Sequence, residues 1–397
     1  MSFSQLGLSA PIVKAVTELG YDTPTEIQQQ AIPVILSGKD LMAAAQTGTG
    51  KTASFVLPLL EKLTAFDAIR GRSIRALILA PTRELAVQVE KNIVDYAKHL
   101  NLSSLVVYGG TDLEPQKQRL LQGVDLLVAT PGRLLDLAYQ RALFFDDLAF
   151  LVLDEADRML DMGFIDDINK IIDRLPLNRQ SLLFSATLTD DVRYLADTVS
   201  HSAVEISVSP QTKAAPKINQ WLVTVDKDTK SALLSHLINE HHWDQALIFV
   251  EKKHSAAKLV EQLGKRGIVA DSIHSSRSQA MREQVLSDFK SGKLKYLIAT
   301  GIAARGIDIN NLSRVVNYDL PYPAEEYIHR IGRTGRAGAT GEAISLVSKD
   351  DFKNLCAIES LLGHLIQRIE IEGFPVKKTV PISILNYQPK NKTQHKR

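Results

Sequence analysis

Cysteine is almost missing from this chain: Cys356 is the single one in 397 residues. One thiol excludes an intramolecular disulfide and any zinc site built on several thiolates. It suits a reducing compartment, and a cytoplasmic location is expected. No apolar run approaches the roughly 20 residues of a membrane-spanning helix, so no membrane partner is expected. Met1 to Gly20 has neither a basic start nor a continuous apolar stretch and does not read as a signal peptide. Short repeats and low-complexity tracts are absent as well. Net charge is only +2, which excludes a uniformly basic surface. The charge is uneven, however. Residues 377–397 hold Lys377, Lys378, Lys390, Lys392, Lys396 and Arg397 with no acid, leaving 41 of the 47 Lys and Arg against 45 acids elsewhere. Such a tail is either an auxiliary contact to nucleic acid or a solvated end.

What is present is an ordinary globular composition, 45% apolar and 23% charged, in a chain too long for one core. Strand-like apolar runs alternate with helical stretches throughout. In the first half they are Leu41–Ala44, Ala76–Ala80, Leu105–Tyr108, Leu126–Ala129, Phe150–Leu153, Leu182–Phe184 and Val204–Val208. In the second they are Gln220–Thr224, Ala246–Val250, Val269–Ile273, Tyr296–Ala299, Val315–Tyr318 and Ala343–Val347. Several are continuously apolar, as parallel strands covered on both faces should be. The fold expected is therefore α/β, with two tandem doubly wound parallel-sheet domains over residues 1–208 and 217–375. The small, polar, proline-flanked stretch 209–216 reads as a linker, and 376–397 as a disordered basic tail.

Ala45-Gln46-Thr47-Gly48-Thr49-Gly50-Lys51-Thr52 follows the first strand and opens a predicted helix over Ala53–Leu63, with Phe55, Leu59 and Leu63 on one face. Glycines there let backbone N–H groups turn around phosphate oxygens at a helix N-terminus. Lys51 reaches the outer phosphates and the Thr52 hydroxyl ligates the metal. Asp154-Glu155-Ala156-Asp157 ends a second apolar strand. Asp154 would hold magnesium, partly through water. Glu155 is the candidate base or orienter for the attacking water. The chain is thus expected to bind and hydrolyse a nucleoside triphosphate with magnesium. The second half has no phosphate loop of its own, which predicts a nucleotide in a cleft between the two domains. Arg330, Arg333 and Arg336, spaced by glycines, would supply positive charge to it.

These residues resemble a known family. Over residues 1–350 the chain is similar to the DEAD-box ATP-dependent RNA helicases, above all their short bacterial members. Gly20 to Gln28, with Phe3 upstream, looks like the adenine-reading motif. In the family's phosphate loop, alanine is normal at position 45. Pro81 to Ala86, Gly109-Gly110 and Thr130 to Arg133 resemble its RNA-backbone motifs. Ser185-Ala186-Thr187 resembles its coupling motif. Gln279 to Arg282, Thr300 to Asp308 and His329 to Arg336 resemble the motifs of its distal domain. The resemblance implies two RecA-like domains, RNA-stimulated ATP hydrolysis and local opening of short duplexes.

It also assigns roles. Gln28, with an amide that donates and accepts, suits the N6 and N7 edge of adenine; Tyr21 is either a stacking partner for the base or a buried aromatic. Arg83, Gly110, Thr130, Arg133, Arg282 and Thr300 would contact RNA backbone, a sequence-tolerant recognition. Asp157 would couple to Ser185, Thr187 and His329. Catalysis would fall to Lys51, Glu155, Arg333 and Arg336. Ribosome assembly and RNA degradation are the settings the resemblance leaves open. Two positions depart from the family's pattern: Gly301 stands where aspartate is usual, and Ser275 where glycine is. The missing carboxylate predicts a weaker ATP-dependent closure, and tighter ATP binding in Gly301→Asp. The competing readings are a catalytically weak RNA clamp and a DNA-translocating helicase.

Overall fold

The computed structural model describes residues 2–45, 48–65, 74–200, 202–208, 218–304, 309, 312–335 and 340–385. They form two compact units, Met1–Lys213 and Ala214–Arg397.

The first unit holds seven strands: β1 Leu41–Ala44, β2 Ala76–Leu79, β3 Ser104–Val107, β4 Leu126–Ala129, β5 Phe150–Leu153, β6 Gln180–Ser185 and β7 Val204–Ser207. They lie in the order β3-β4-β2-β5-β6-β1-β7, every neighbouring pair parallel. Parallel strands need long crossovers, and helices supply them on both faces. Successive residues of a strand therefore enter different cores. Leu41, Ala43, Ile78, Val152 and Phe184 pack on one side of the sheet. Met42, Leu77, Leu79, Leu151 and Leu183 pack on the other. This two-sided burial is why the strands read as unbroken apolar runs.

The helix after the phosphate loop spans Lys51–Thr64, two residues earlier than its apolar spacing suggests. Val56, Leu57 and Leu60 are buried as well as Phe55, Leu59 and Leu63, so it is enclosed nearly all round. Phe55 meets Phe184 with ring centroids 5.1 Å apart and a 51° tilt, a pairing worth about 0.5–1.5 kcal/mol beyond the area buried.

The second unit repeats the plan. Its strands are β8 Ile218–Thr224, β9 Ala246–Val250, β10 Ala270–Ile273, β11 Tyr296–Thr300, β12 Arg314–Asn317, β13 Gly341–Val347 and β14 Gln367–Arg368. Their order is β10-β11-β9-β12-β13-β8-β14, again all parallel. Counted from each unit's own first strand, the two orders are identical. Cys356 is buried in the helix Phe352–Leu362.

The end of the chain differs from expectation. Residues 376–385 are mostly exposed but are tied to the unit at several points. Asp226 accepts from the backbone N–H groups of Lys377 and Lys378 at 2.8 and 3.2 Å. Arg368 donates to the carbonyls of Val380 and Pro381, and Val380 joins the core. These anchors lie far back in the sequence, so composition alone did not disclose them. Residues 386–397, with the other four cations of the tail, lie outside the described residues, as does the linker 209–216. No helix among the described residues is long and apolar enough to cross a membrane.

Candidate active site

In a parallel sheet, ligand-binding loops gather where the strands end. In the first unit the predicted residues divide along that edge. The ends of β1, β5 and β6 carry the phosphate loop, Asp154–Asp157 and Ser185–Thr187. The ends of β2, β3 and β4 carry Arg83, Gly110 and Thr130–Arg133.

The phosphate loop leaves β1 at Ala45, whose N–H donates to the Ser185 carbonyl at 3.1 Å. Gln46 and Thr47 lie outside the described residues. Gly48 and Gly50 adopt φ of 86° and 94°, a left-handed backbone that side chains disfavour. Gly50 has a second constraint: a Cβ there would stand 2.4 Å from Gln28 Nε2. Gln28 Nε2 donates to the Gly50 carbonyl at 3.2 Å, and its Oε1 accepts from the Thr25 N–H at 2.8 Å. The amide thus ties the helix Glu26–Leu36 to the loop, and each of its polar atoms retains one bonding position. Thr25 completes a capping box with it. Tyr21 is 47% exposed and therefore not a core aromatic; its ring leans on Tyr96 at 6.3 Å.

Lys51 is buried, with Nζ 3.3 Å from the Ser185 carbonyl. Thr52 follows it on the first turn of the helix, partly exposed. Asp154 is buried and its N–H bonds the Leu79 carbonyl at 3.0 Å, continuing the sheet. Burial, and then the charge of Glu155, push the Asp154 carboxyl up to about 7 against the pull of Lys51. Glu155 takes a left-handed backbone (φ 54°), uncommon for a residue with a side chain and typical of functional turns. Its carboxylate is paired with the buried Arg158 guanidinium. Arg158 was missed in the sequence, although its place three residues after an acid on a helix is a visible signal.

Asp157 is spent on the Ser185–Thr187 turn. One oxygen accepts from the N–H groups of Ala186 and Thr187 and from the Thr187 hydroxyl, at 3.1–3.2 Å. Ser185 Oγ accepts from the Thr187 N–H at 3.3 Å. Of the four residues expected to couple, Asp157 and Ser185 each bond Thr187 in this unit, and His329 belongs to the other unit.

Arg83 and Gly110, 27 positions apart, are in direct contact. A Cβ on Gly110 (φ 80°) would lie 2.2–2.3 Å from three guanidinium atoms of Arg83. Thr130 precedes the helix Pro131–Tyr139. Arg133, on that helix, donates through Nη2 to the Thr111 carbonyl at 2.8 Å, while its buried Nε and Nη1 have no hydrogen-bond partner. Burial pulls its pKa down; Asp136 opposes, and Arg83 adds to the pull.

In the second unit, Arg282 is buried on the helix Gln279–Lys290, and Thr300 ends β11. His274 lies just past β10; burial, then Arg277, Lys253 and Arg282, push it below the usual imidazole value. Ser275 is exposed in the turn that follows. His329, Arg330 and Arg333 lie on and just after the helix Glu325–Ile331. His329 Nδ1 is 3.7 Å from Glu326 Oε2, and Arg333 is buried. Arg336 lies outside the described residues. At the place equivalent to Lys51, the first residue of the helix after the unit's first strand, stands Lys230. Its ammonium is buried and bonded at 2.9 Å to Asp351 and at 2.9 Å to the Tyr318 carbonyl.

Comparison with known proteins decides the family. The family model for DEAD/DEAH box helicases matches residues 25–195, and that for the helicase conserved C-terminal domain matches residues 229–338. The chain is 43% identical over 370 residues to the ATP-dependent RNA helicase CshA of Listeria monocytogenes, covering 93% of this chain and 70% of that protein. It belongs to the DEAD-box helicase family. To the ATP-dependent RNA helicase DbpA of Bacillus subtilis this DEAD-box chain is 40% identical over 393 residues, 98% of its length and 81% of the relative's. Among solved structures, S. cerevisiae Dbp5 bound to RNA and ADP BeF3 matches with a TM-score of 0.81 and 33% identity, over 93% of this chain and 95% of that one. Mss116p bound to ssRNA and AMP-PNP matches with a TM-score of 0.82 and 30% identity, over 93% and 78%.

Proposed function

We propose that this DEAD-box chain is an ATP-dependent RNA helicase, which hydrolyses ATP in response to RNA and so opens short duplexes and remodels RNA–protein complexes locally. The observation that carries the reading is the shared strand-end edge of the first sheet. Lys51, Asp154 and Glu155 stand beside one flank of it, and the Arg83–Gly110–Arg133 cluster occupies the other. Named relatives are ATP-dependent RNA helicases.

Lys51 and the backbone of Gly48 to Thr52 hold the phosphates, together with Ala45, Gln46 and Thr47. Gln28 reads the adenine edge with its remaining donor and acceptor, and Tyr21 offers an exposed ring to the base. Thr52 and Asp154 are hard oxygen donors that fit magnesium, and Asp154 is buried beside a second acid, Glu155. Magnesium, when bound, neutralises charge on the phosphate oxygens. Glu155, released from Arg158, orients the attacking water; Arg333 and Arg336 of the second unit stabilise the transition-state charge.

On the other flank, Arg133 has two buried N–H groups without partners next to a second guanidinium. An RNA phosphate satisfies both conditions, with Arg83, Gly110 and Thr130 beside it. Arg282 and Thr300 contribute from the second unit. Asp157, Ser185, Thr187 and His329 relay between ligands. On this reading RNA and ATP each engage both units, over 1–208 and 217–375, and each would then favour the other's binding. Opening a base-pair step costs about 1.4 kcal/mol on DNA values, so one cycle melts a few steps. A cytoplasmic location and work on ribosomal or RNA-degrading assemblies fit this activity.

Steady-state ATP hydrolysis tests the reading, with RNA, with DNA of the same sequence, and without either. RNA should stimulate and DNA should not. Glu155→Gln should retain ATP and RNA while losing about a hundredfold in turnover. Hydrolysis indifferent to RNA would leave a clamp; equal stimulation by DNA would leave a DNA translocase.

A further inference from the structure

Glu326 is a carboxylate that the reading above does not use, and it is 5% exposed. A buried carboxylate is costly unless charges nearby compensate it. Its two oxygens face different partners. Oε1 is 3.8 Å from Arg330 Nε, and Oε2 is 3.7 Å from His329 Nδ1. Arg330 is itself pinned. Its Nη1 donates to the Asp319 carbonyl at 2.9 Å and to Asn317 Oδ1 at 3.4 Å, and its guanidinium lies 4.8 Å from the centre of the Phe249 ring. One acid thus sits beside both the imidazole and the guanidinium of the helix Glu325–Ile331, and Arg330 in turn joins that helix to the ends of β9 and β12.

The same place is bordered by the backbone of Gly301, just past β11. A Cβ on Gly301 would stand 3.3 Å from Arg330 Nη2 and 3.4 Å from Glu326 Oε1. Any acidic side chain at 301 would therefore enter a space that already has its carboxylate. We propose that Glu326 is a positioning residue for ATP hydrolysis, fixing His329 and Arg330 from the side that bare backbone at Gly301 leaves open. This rests on the ATPase reading above. It also reverses the expectation drawn from the sequence: Gly301→Asp should impair the protein, because it places a second carboxylate beside the buried Glu326, whose Oε1 would stand 3.4 Å from the new Cβ, and like charges there disfavour each other.

The test is a mutant cycle on the full chain, read as kcat and KM of RNA-stimulated ATP hydrolysis, with thermal melting to confirm folding. Glu326→Gln should lower kcat about tenfold and leave KM for ATP nearly unchanged. Gly301→Asp should lower kcat by a similar factor, and the isosteric Gly301→Asn by much less, which separates charge from bulk. The double variant Gly301→Asp with Glu326→Gln should recover most of the wild-type rate, because one carboxylate is restored. Losses that simply multiply in the double variant would overturn the inference, as would a Gly301→Asp rate at or above wild type. Should Glu326→Gln fail to fold, the comparison of Gly301→Asp with Gly301→Asn decides alone: equal rates overturn it. A wild-type protein without RNA stimulation would overturn the ATPase reading as well. Additive variants of a stimulated wild type would sink only the role of Glu326.

Discussion

Replacing Asp154 with asparagine is expected to stabilise the ligand-free protein while abolishing ATP hydrolysis, with a gain that grows with pH. Burial first, and then Glu155, raise this carboxyl from 3.8 to about 7. A carboxyl with a raised folded pKa takes up a proton on folding between those values. Its ionised form therefore costs stability progressively as pH rises through the window, and the full penalty stands above pH 7. At about 1.4 kcal/mol per tenfold change in proton ratio, the ceiling is about 4 kcal/mol at pH 8 and less than half of that at pH 5. Asparagine keeps the backbone bond to Leu79 and most of the volume, and loses the attraction to Lys51, so the measured gain should fall somewhat short. In a unit of this size about 4 kcal/mol corresponds to roughly 10 °C in melting temperature. The assay can separate the units. Both tryptophans, Trp221 and Trp243, belong to the second unit, so their fluorescence serves as an internal reference, while circular dichroism follows both. Denaturant titrations without nucleotide or magnesium should move the circular-dichroism transition and leave the fluorescence transition in place. A gain equal at pH 5 and pH 8, or a loss at pH 8, would refute the reasoning.

Two further outcomes follow from single contacts. Gly110→Ala puts a methyl group where the Arg83 guanidinium lies, at a backbone angle suited to glycine. It should raise the RNA concentration needed for half-maximal ATPase about tenfold or more, with basal hydrolysis nearly unaffected; unchanged RNA dependence would separate Arg83 from RNA. Asp157→Ala removes three hydrogen bonds to the Ser185–Thr187 turn. It should cost about 1–3 kcal/mol in stability and reduce RNA stimulation more than ATP affinity, so an equal loss in both would contradict the coupling role.

The strands were legible wherever both faces are buried. β1, β4, β5 and β9 have the limits their apolar runs suggest, because nothing polar interrupts a strand covered on both sides. β14 is two residues long and contains Gln367 and Arg368, so it carries no apolar pattern at all. The phosphate loop and the acids after β5 were legible because their chemistry is local. What escaped depends on contacts between distant segments: the Arg83–Gly110 contact, the Gln28–Gly50 tie, the docking of Lys377 and Lys378 on Asp226. Glu326 escaped for a different reason. Next to Glu325 on a helix start it looks like a solvated cap, and only the fold turns it inward.

The two sheets share one winding order, yet at matching places Lys51 lies beside a phosphate loop while Lys230 is answered by Asp351. The second lobe has, in effect, swallowed its own counter-ion. Its lysine has no vacancy to offer a triphosphate, so the matching place there is sealed from within. Each turnover should therefore consume a single fuel molecule, held at the first lobe's open loop.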